Sequence, residues 1–143
     1  MVRYDPDLIT MSSTEDMWEL EVTLLESIES YIEEKKVPII IGGVFPTFAP
    51  EICLGHRLIS MVCVGEGENT LLELCRCIEE GISYNDVTNT WVKQKDGSVR
   101  RNPISKPVDI NNMPLINMSL FDLARLYRLM AGRIYKMFPV ETH

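Results

Sequence analysis

The chain has 143 residues, 45% apolar and 24% charged, which is the length and balance of one globular domain able to bury a real core. Twenty-one acidic residues against fourteen basic ones leave a net charge of −7, and the basic residues are scattered apart from Arg100-Arg101, so no basic stripe is available for a nucleic-acid backbone. No apolar run approaches the ~20 residues of a membrane span, the opening "MVRYDPDLIT" lacks the apolar centre of a signal peptide, and Cys53, Cys63, Cys75 and Cys77, lacking any framework spacing, fit free thiols in a reducing cytoplasm.

In chain order, "DLITMS" (7–12) reads as a buried strand after Asp5-Pro6. Ser12 and Glu15 have capping-box spacing, and a helix over about 14–35 follows, with Met17, Leu20, Leu24, Ile28 and Tyr31/Ile32 as its apolar face and Lys35-Lys36 at its close. "VPIIIGG" (37–43) is a second strand. Its apolar run does not alternate, which predicts cover on both faces, as in a parallel sheet. A short helix is expected from Pro50-Glu51 to near Gly55. "LISMVCVG" (58–65) is the third strand, and "ENTLLELCRCIEEG" the next helix, with Thr70 and Glu73 as a second capping box and Gly81 as its stop. Beyond it, "TWVKQKDGSVRRN" (90–102) reads as a hairpin around Asp96-Gly97. "PISKPVDINNMPLINMS" (103–119) reads as an irregular linker. Ser119 with Asp122 would cap a last helix, "LFDLARLYRLMA", ended by Gly132.

Strand, helix, strand, helix, strand, helix over the first 81 residues is the signature of a parallel sheet with crossover helices. Such sheets bind ligands beyond the carboxyl ends of their strands. The "SST", "GGVFPT" and "GEGE" loops all follow strands, so they share that edge, and their glycines allow sharp turns and close approach of a flat ligand. A dinucleotide is a poor candidate. Gly65-Glu66-Gly67-Glu68-Asn69-Thr70 has a threonine where the third glycine of the fingerprint belongs, and Glu66 and Glu68 would stand beside a pyrophosphate with no cation near. No Walker loop occurs.

Candidates for catalysis are few, and we assign neither a catalytic residue nor a metal ligand. Cys53 and His56 share a helix face without a third orienting group. Cys75 and Cys77, two apart on a helix, point to different sides, which suits a core role for at least one of them. Asp5, Asp7, Glu66 and Glu68 read most simply as helix caps and acceptors for backbone amides.

Four stretches, "DPDLITMSSTEDMWELEVTLLESI", "VPIIIGGVFPTFAPE", "ISMVCVGEGENTLLELCRCIEEG" and "NTWVKQKDGSVRRNP", resemble in order and spacing the cobalamin-binding domain of cobalamin-dependent radical S-adenosylmethionine enzymes. "DINNMP" is similar to that family's Asp-Leu-Asp-x-Leu-Pro linker. The resemblance implies an α/β, three-layer Rossmann-like (flavodoxin-like) parallel sheet, truncated by two strand–helix units before "DPDLIT", then a β-hairpin and a C-terminal helix. It divides the chain into a partial cobalamin-binding domain (1–85), a hairpin and linker (86–118), and a helix with a lead-in (119–143) in which "FPVETH" precedes a CxxxCxxC cluster motif not contained in the chain.

By the same resemblance, Gly42, Gly43, Val44, Phe45 and Thr47 belong to the double-glycine loop close to cobalamin, Ser12, Ser13 and Thr14 to the loop on the nucleotide-tail side, and Gly65, Glu66, Gly67 and Glu68 to the third ligand loop. Phe45 stands where the family often has histidine, and the Asp-x-His-x-x-Gly motif that supplies a cobalt ligand in other cobalamin proteins is absent. The implied partners are a corrinoid cofactor and the enzyme's own radical S-adenosylmethionine domain, with no nucleic acid and no membrane. The 4Fe-4S cluster and S-adenosylmethionine belong to the part beyond residue 143. The chain alone is then a non-catalytic fragment of a methyltransferase or related radical enzyme, and its exposed sheet edge predicts a homodimer or poor solubility. The competing readings are a non-enzymatic α/β interaction module and, behind it, a dinucleotide-binding oxidoreductase fragment.

Overall fold

The computed structural model describes residues 4–137, in two units that divide after Val108. The first contains a five-stranded sheet in the order β1 (Ile9–Ser12), β2 (Ile39–Gly42), β3 (Met61–Cys63), β4 (Thr90–Lys93), β5 (Val99–Arg101). β1, β2 and β3 are parallel, with Ile9 opposite Ile39 and Ile40 opposite Met61. This is the crossover arrangement read from the sequence. β4 and β5 are the two arms of the Asp96-Gly97 hairpin and continue the same sheet, β4 antiparallel to β3 and β5 antiparallel to β4. The sheet is therefore mixed.

Helices α1 (Trp18–Ser27), α2 (Glu29–Lys35), α3 (Val44–Phe48) and α4 (Pro50–Gly55) follow β1 and β2, and α5 (Glu68–Glu80) follows β3. Alternate residues of the central strands enter two separate cores. Ile39, Ile41 and Val62 pack with Leu25, Ile32 and Cys53, while Ile40, Met61 and Cys63 pack with Leu74 of α5 and Val92. Ile39, Ile40 and Ile41 are 0%, 1% and 0% exposed. At about 1.5–3 kcal/mol for each buried side chain of this kind, this tripeptide is the centre of the three-layer fold.

The helix expected over 14–35 forms in pieces. A 3-10 turn at Glu15–Met17 precedes α1, and the chain breaks at Ile28 (φ −117°, ψ 13°) before α2. No glycine or proline causes the break. The Ser27 hydroxyl donates to the Leu24 carbonyl, and the Ile28 amide to Leu25, a local competition that tightens and bends a helix. The inward stripe runs through Trp18, Glu21, Leu25, Ile28 and Ile32, whereas Leu20 and Leu24 are 52% and 55% exposed. The expected apolar face is thus displaced, because counting apolar residues passes over the buried Glu21. Neither capping box forms. Ser12 belongs to β1, and Thr70 lies inside α5, whose N-cap is Gly67. Its hydroxyl instead donates to the Thr88 carbonyl.

The second unit differs from the sequence expectation. The stretch read as a last helix forms two short 3-10 turns, Met118–Leu120 and Leu123–Leu126, capped by the side chains of Asn117 and Asp122. A β-hairpin of β6 (Tyr127–Met130) and β7 (Arg133–Lys136) follows. Ala131 and Gly132 both have positive φ, 49° and 73°, the geometry of a two-residue hairpin turn. The lead-in "FPVETH" lies outside the described residues. Among these, no helix is long and apolar enough to cross a membrane.

Candidate functional site

Parallel pairing of β1, β2 and β3 brings their carboxyl ends to one edge, with Ser12 directly opposite Gly42. The three loops that leave this edge are bonded to one another. The Ser13 amide donates to the Gly42 carbonyl (2.8 Å), and the Phe45 amide to the Ser13 carbonyl (3.1 Å). The Thr47 hydroxyl donates to the Gly43 carbonyl (2.8 Å) and accepts from the Gly65 amide (3.1 Å). Only glycine suits position 43. Its φ is +97°, and an added Cβ would lie 2.8 Å from the Ser13 carbonyl oxygen.

Between the loops, on the α5 side of the sheet, is a cleft of about 480 Å³. Its walls are Ser12, Gly42, Gly43, Gly65, Glu66, Gly67 and Glu68, and its floor is Thr10, Ile40, Cys63 and Leu71, with Met11 bordering it although its side chain packs in the opposite core. The remaining expected residues lie elsewhere. Ser13 is buried, the Thr14 hydroxyl donates to Asp16, Val44 is exposed, and Thr47 ties two loops together from behind. Phe45 packs on Trp18, with ring centroids 5.6 Å apart, against the opposite core. The floor was missed by motif reading because it is made of ordinary strand and helix residues. The alternation of β1 and β2 is the signal that could have found it.

The cleft is neutral to acidic. No lysine or arginine lines it, and one of its two carboxylates, Glu66, is engaged by the Val108 backbone amide. A pyrophosphate has no counter-charge here, which disfavours a dinucleotide. An amide-rimmed, largely apolar ligand meets glycine backbone, a hydroxyl and carboxylate acceptors. Burial raises the Cys63 thiol above its ordinary pKa and pushes Cys53 up to about 11, so both stay protonated and neither is an activated nucleophile. Cys75 is exposed and Cys77 buried. Among the described residues no set of three or more His, Cys, Asp or Glu side chains is placed to hold a metal ion.

The profile of the B12 binding domain matches residues 1–75. The chain belongs to the B12-binding family. It is 29% identical over 99 residues to 4'-phospho-dehydrooxetanocin synthase of Priestia megaterium, an alignment covering 68% of this chain and 13% of that protein. It resembles the cobalamin-dependent S-adenosylmethionine radical enzyme OxsB, solved with aqua-cobalamin and S-adenosylmethionine bound, at TM-score 0.64 and 26% identity, over 74% of this chain and 15% of that one. The radical S-adenosylmethionine methyltransferase TsrM from Kitasatospora setae shares the fold at TM-score 0.56 and 21% identity, over 74% of this chain and 21% of that one. The chain thus spans a small part of the length of the relatives it matches.

Proposed function

We propose that this B12-binding chain holds a corrinoid in the cleft at the carboxyl edge of β1–β3, as one part of a cobalamin-dependent radical S-adenosylmethionine enzyme. The observation that carries the reading is the cleft itself. Gly42, Gly43, Gly65 and Gly67 line it, leaving bare backbone where side chains would otherwise fill the space. A Cβ added at Gly67 would make ordinary contact with Cys63 Sγ (3.8 Å) and Leu71 Cδ1 (4.0 Å), so a side chain fits there without collision.

In this reading Ser12 and the glycine backbones supply hydrogen bonds to the corrinoid's amide rim, Glu66 and Glu68 accept from its amide N–H groups, and Ile40 and Leu71 meet its apolar face. Cobalamin, when bound, supplies a redox-active cobalt, while the polypeptide orients the ring and keeps water from one side of it. The iron–sulfur cluster, S-adenosylmethionine and a methyl-transfer or related radical reaction belong to the other parts of such an enzyme. The free edge of β1 also supports self-association of this chain.

The test is a visible-absorbance titration with hydroxocobalamin. The wild type is expected to shift the spectrum saturably. Gly67→Leu is expected to remove that shift while the far-ultraviolet dichroism stays unchanged, because Gly67 has an ordinary φ of −99° and the new side chain enters the cleft. A flat titration with folded wild-type protein would overturn the proposal.

A further inference from the structure

Asn89 lies outside every glycine motif, yet it is 3% exposed and sits at φ +62°. That region is uncommon for residues other than glycine, and asparagine is enriched in it. Its backbone joins two segments, with the Asn89 amide donating to the Pro103 carbonyl (3.0 Å) and its carbonyl accepting from Val64 (2.7 Å). The side-chain Nδ2 faces the Glu66 carbonyl (3.0 Å), Thr70 Oγ1 (3.1 Å) and Ser105 Oγ (3.0 Å), and Oδ1 accepts from the Ser105 amide at 2.6 Å. These contacts fix which end of the amide is which. A flipped group would set its oxygen against the Glu66 carbonyl and its nitrogen against an N–H.

Glu66 belongs to the loop that walls the cleft, and its carboxylate also accepts from the Val108 amide. Residues 103–108 therefore form a strap over that loop, held at one end by Asn89 and at the other by Glu66. We infer that Asn89 is the positioning residue of the cleft: its amide locks loop 65–68 to strap 103–108 and so sets the wall that a ligand meets. The consequence for ligand rests on the corrinoid reading, whereas the positioning of the loop does not.

Two measurements on the full chain separate these. Asn89→Gly keeps the positive φ and removes the amide. Amide exchange at residues 65–70 and 103–108 is expected to accelerate at least about tenfold, the scale of one lost buried hydrogen bond, while β2 and β3 stay protected. Hydroxocobalamin affinity is expected to fall by a similar factor. Unchanged exchange in the two segments overturns the inference, and so does faster exchange with unaltered affinity. If Asn89→Gly also exposes β2, Ser105→Pro becomes the deciding variant, since it deletes the amide that bonds Oδ1 from an exposed strap position. It should loosen the same segments, and unchanged exchange there overturns the inference. A wild type that ignores hydroxocobalamin sinks the corrinoid reading, and the exchange measurement alone then decides the role of Asn89.

Discussion

At the residue scale, the two adjacent glycines after β2 do different work. Gly43 takes a backbone conformation that side chains rarely adopt and touches Ser13 across the loop, whereas at Gly42 a Cβ would meet only Cys63 Cβ, at 3.4 Å. Gly43→Ala is therefore expected to destabilise the chain by at least about 2 kcal/mol through strain and collision, and Gly42→Ala by distinctly less, as read from urea unfolding. Equal effects would mean that the loop relaxes. The motif "GGVFPT" made the double glycine visible in the sequence, but not the division of labour within it, which depends on Ser13 arriving from another loop. Asn89 was invisible for a related reason. Its partners Glu66, Thr70 and Ser105 are distant in sequence, and nothing about an isolated asparagine announces them.

At the element scale, what could be read was what has a single physical meaning. The unbroken run at Ile39–Gly42 calls for cover on both faces, and Asp96-Gly97 calls for a turn; both occur. Gly81 caps α5 at φ +67°, with the Ile82 amide returning to the Cys77 carbonyl at 2.9 Å. No atom lies within 4 Å of a Cβ added there, so Gly81→Ala isolates backbone strain and should cost about 1 kcal/mol in thermal or urea unfolding. The stretch around Gly132 failed as a helix prediction because glycine at positive φ ends a helix and turns a hairpin equally well. Leu120, Leu123, Leu126 and Met130 keep a helical spacing, yet Tyr127-Arg128-Leu129 also alternates as a strand would, and the positive φ of Ala131 belongs to the hairpin. Likewise the split of α1 from α2 depends on a serine hydroxyl, which no hydropathy count registers.

For the whole molecule, the two edges of the sheet are unlike. β5 presents Arg100 and Arg101, the latter stacked 4.1 Å over the Trp91 ring and paired with Glu51, and a charged edge discourages further pairing. β1, "ITMS", carries no charge. By the alternation of a parallel ladder, Ile9 and Ser13 bond toward β2, so the amides of Thr10 and Ser12 face outward. If self-association uses this edge, sedimentation should show a concentration-dependent dimer in the wild type and a monomer in Thr10→Pro, which removes an outward amide without touching the ladder. A dimer that persists in Thr10→Pro would place the contact elsewhere.

The strand order also has a temporal meaning. β1 to β5 lie side by side in the order in which a ribosome releases them, so each new strand can add to an edge already formed, as expected for a domain that assembles vectorially. Every residue lining the cleft has been made once Leu71 has emerged, but Asn89 and the strap at 103–108 have not. The nascent chain would pass through a stage with a complete set of pocket residues and no clasp, and competence to retain a ligand would arrive only with residues 103–108, after β5.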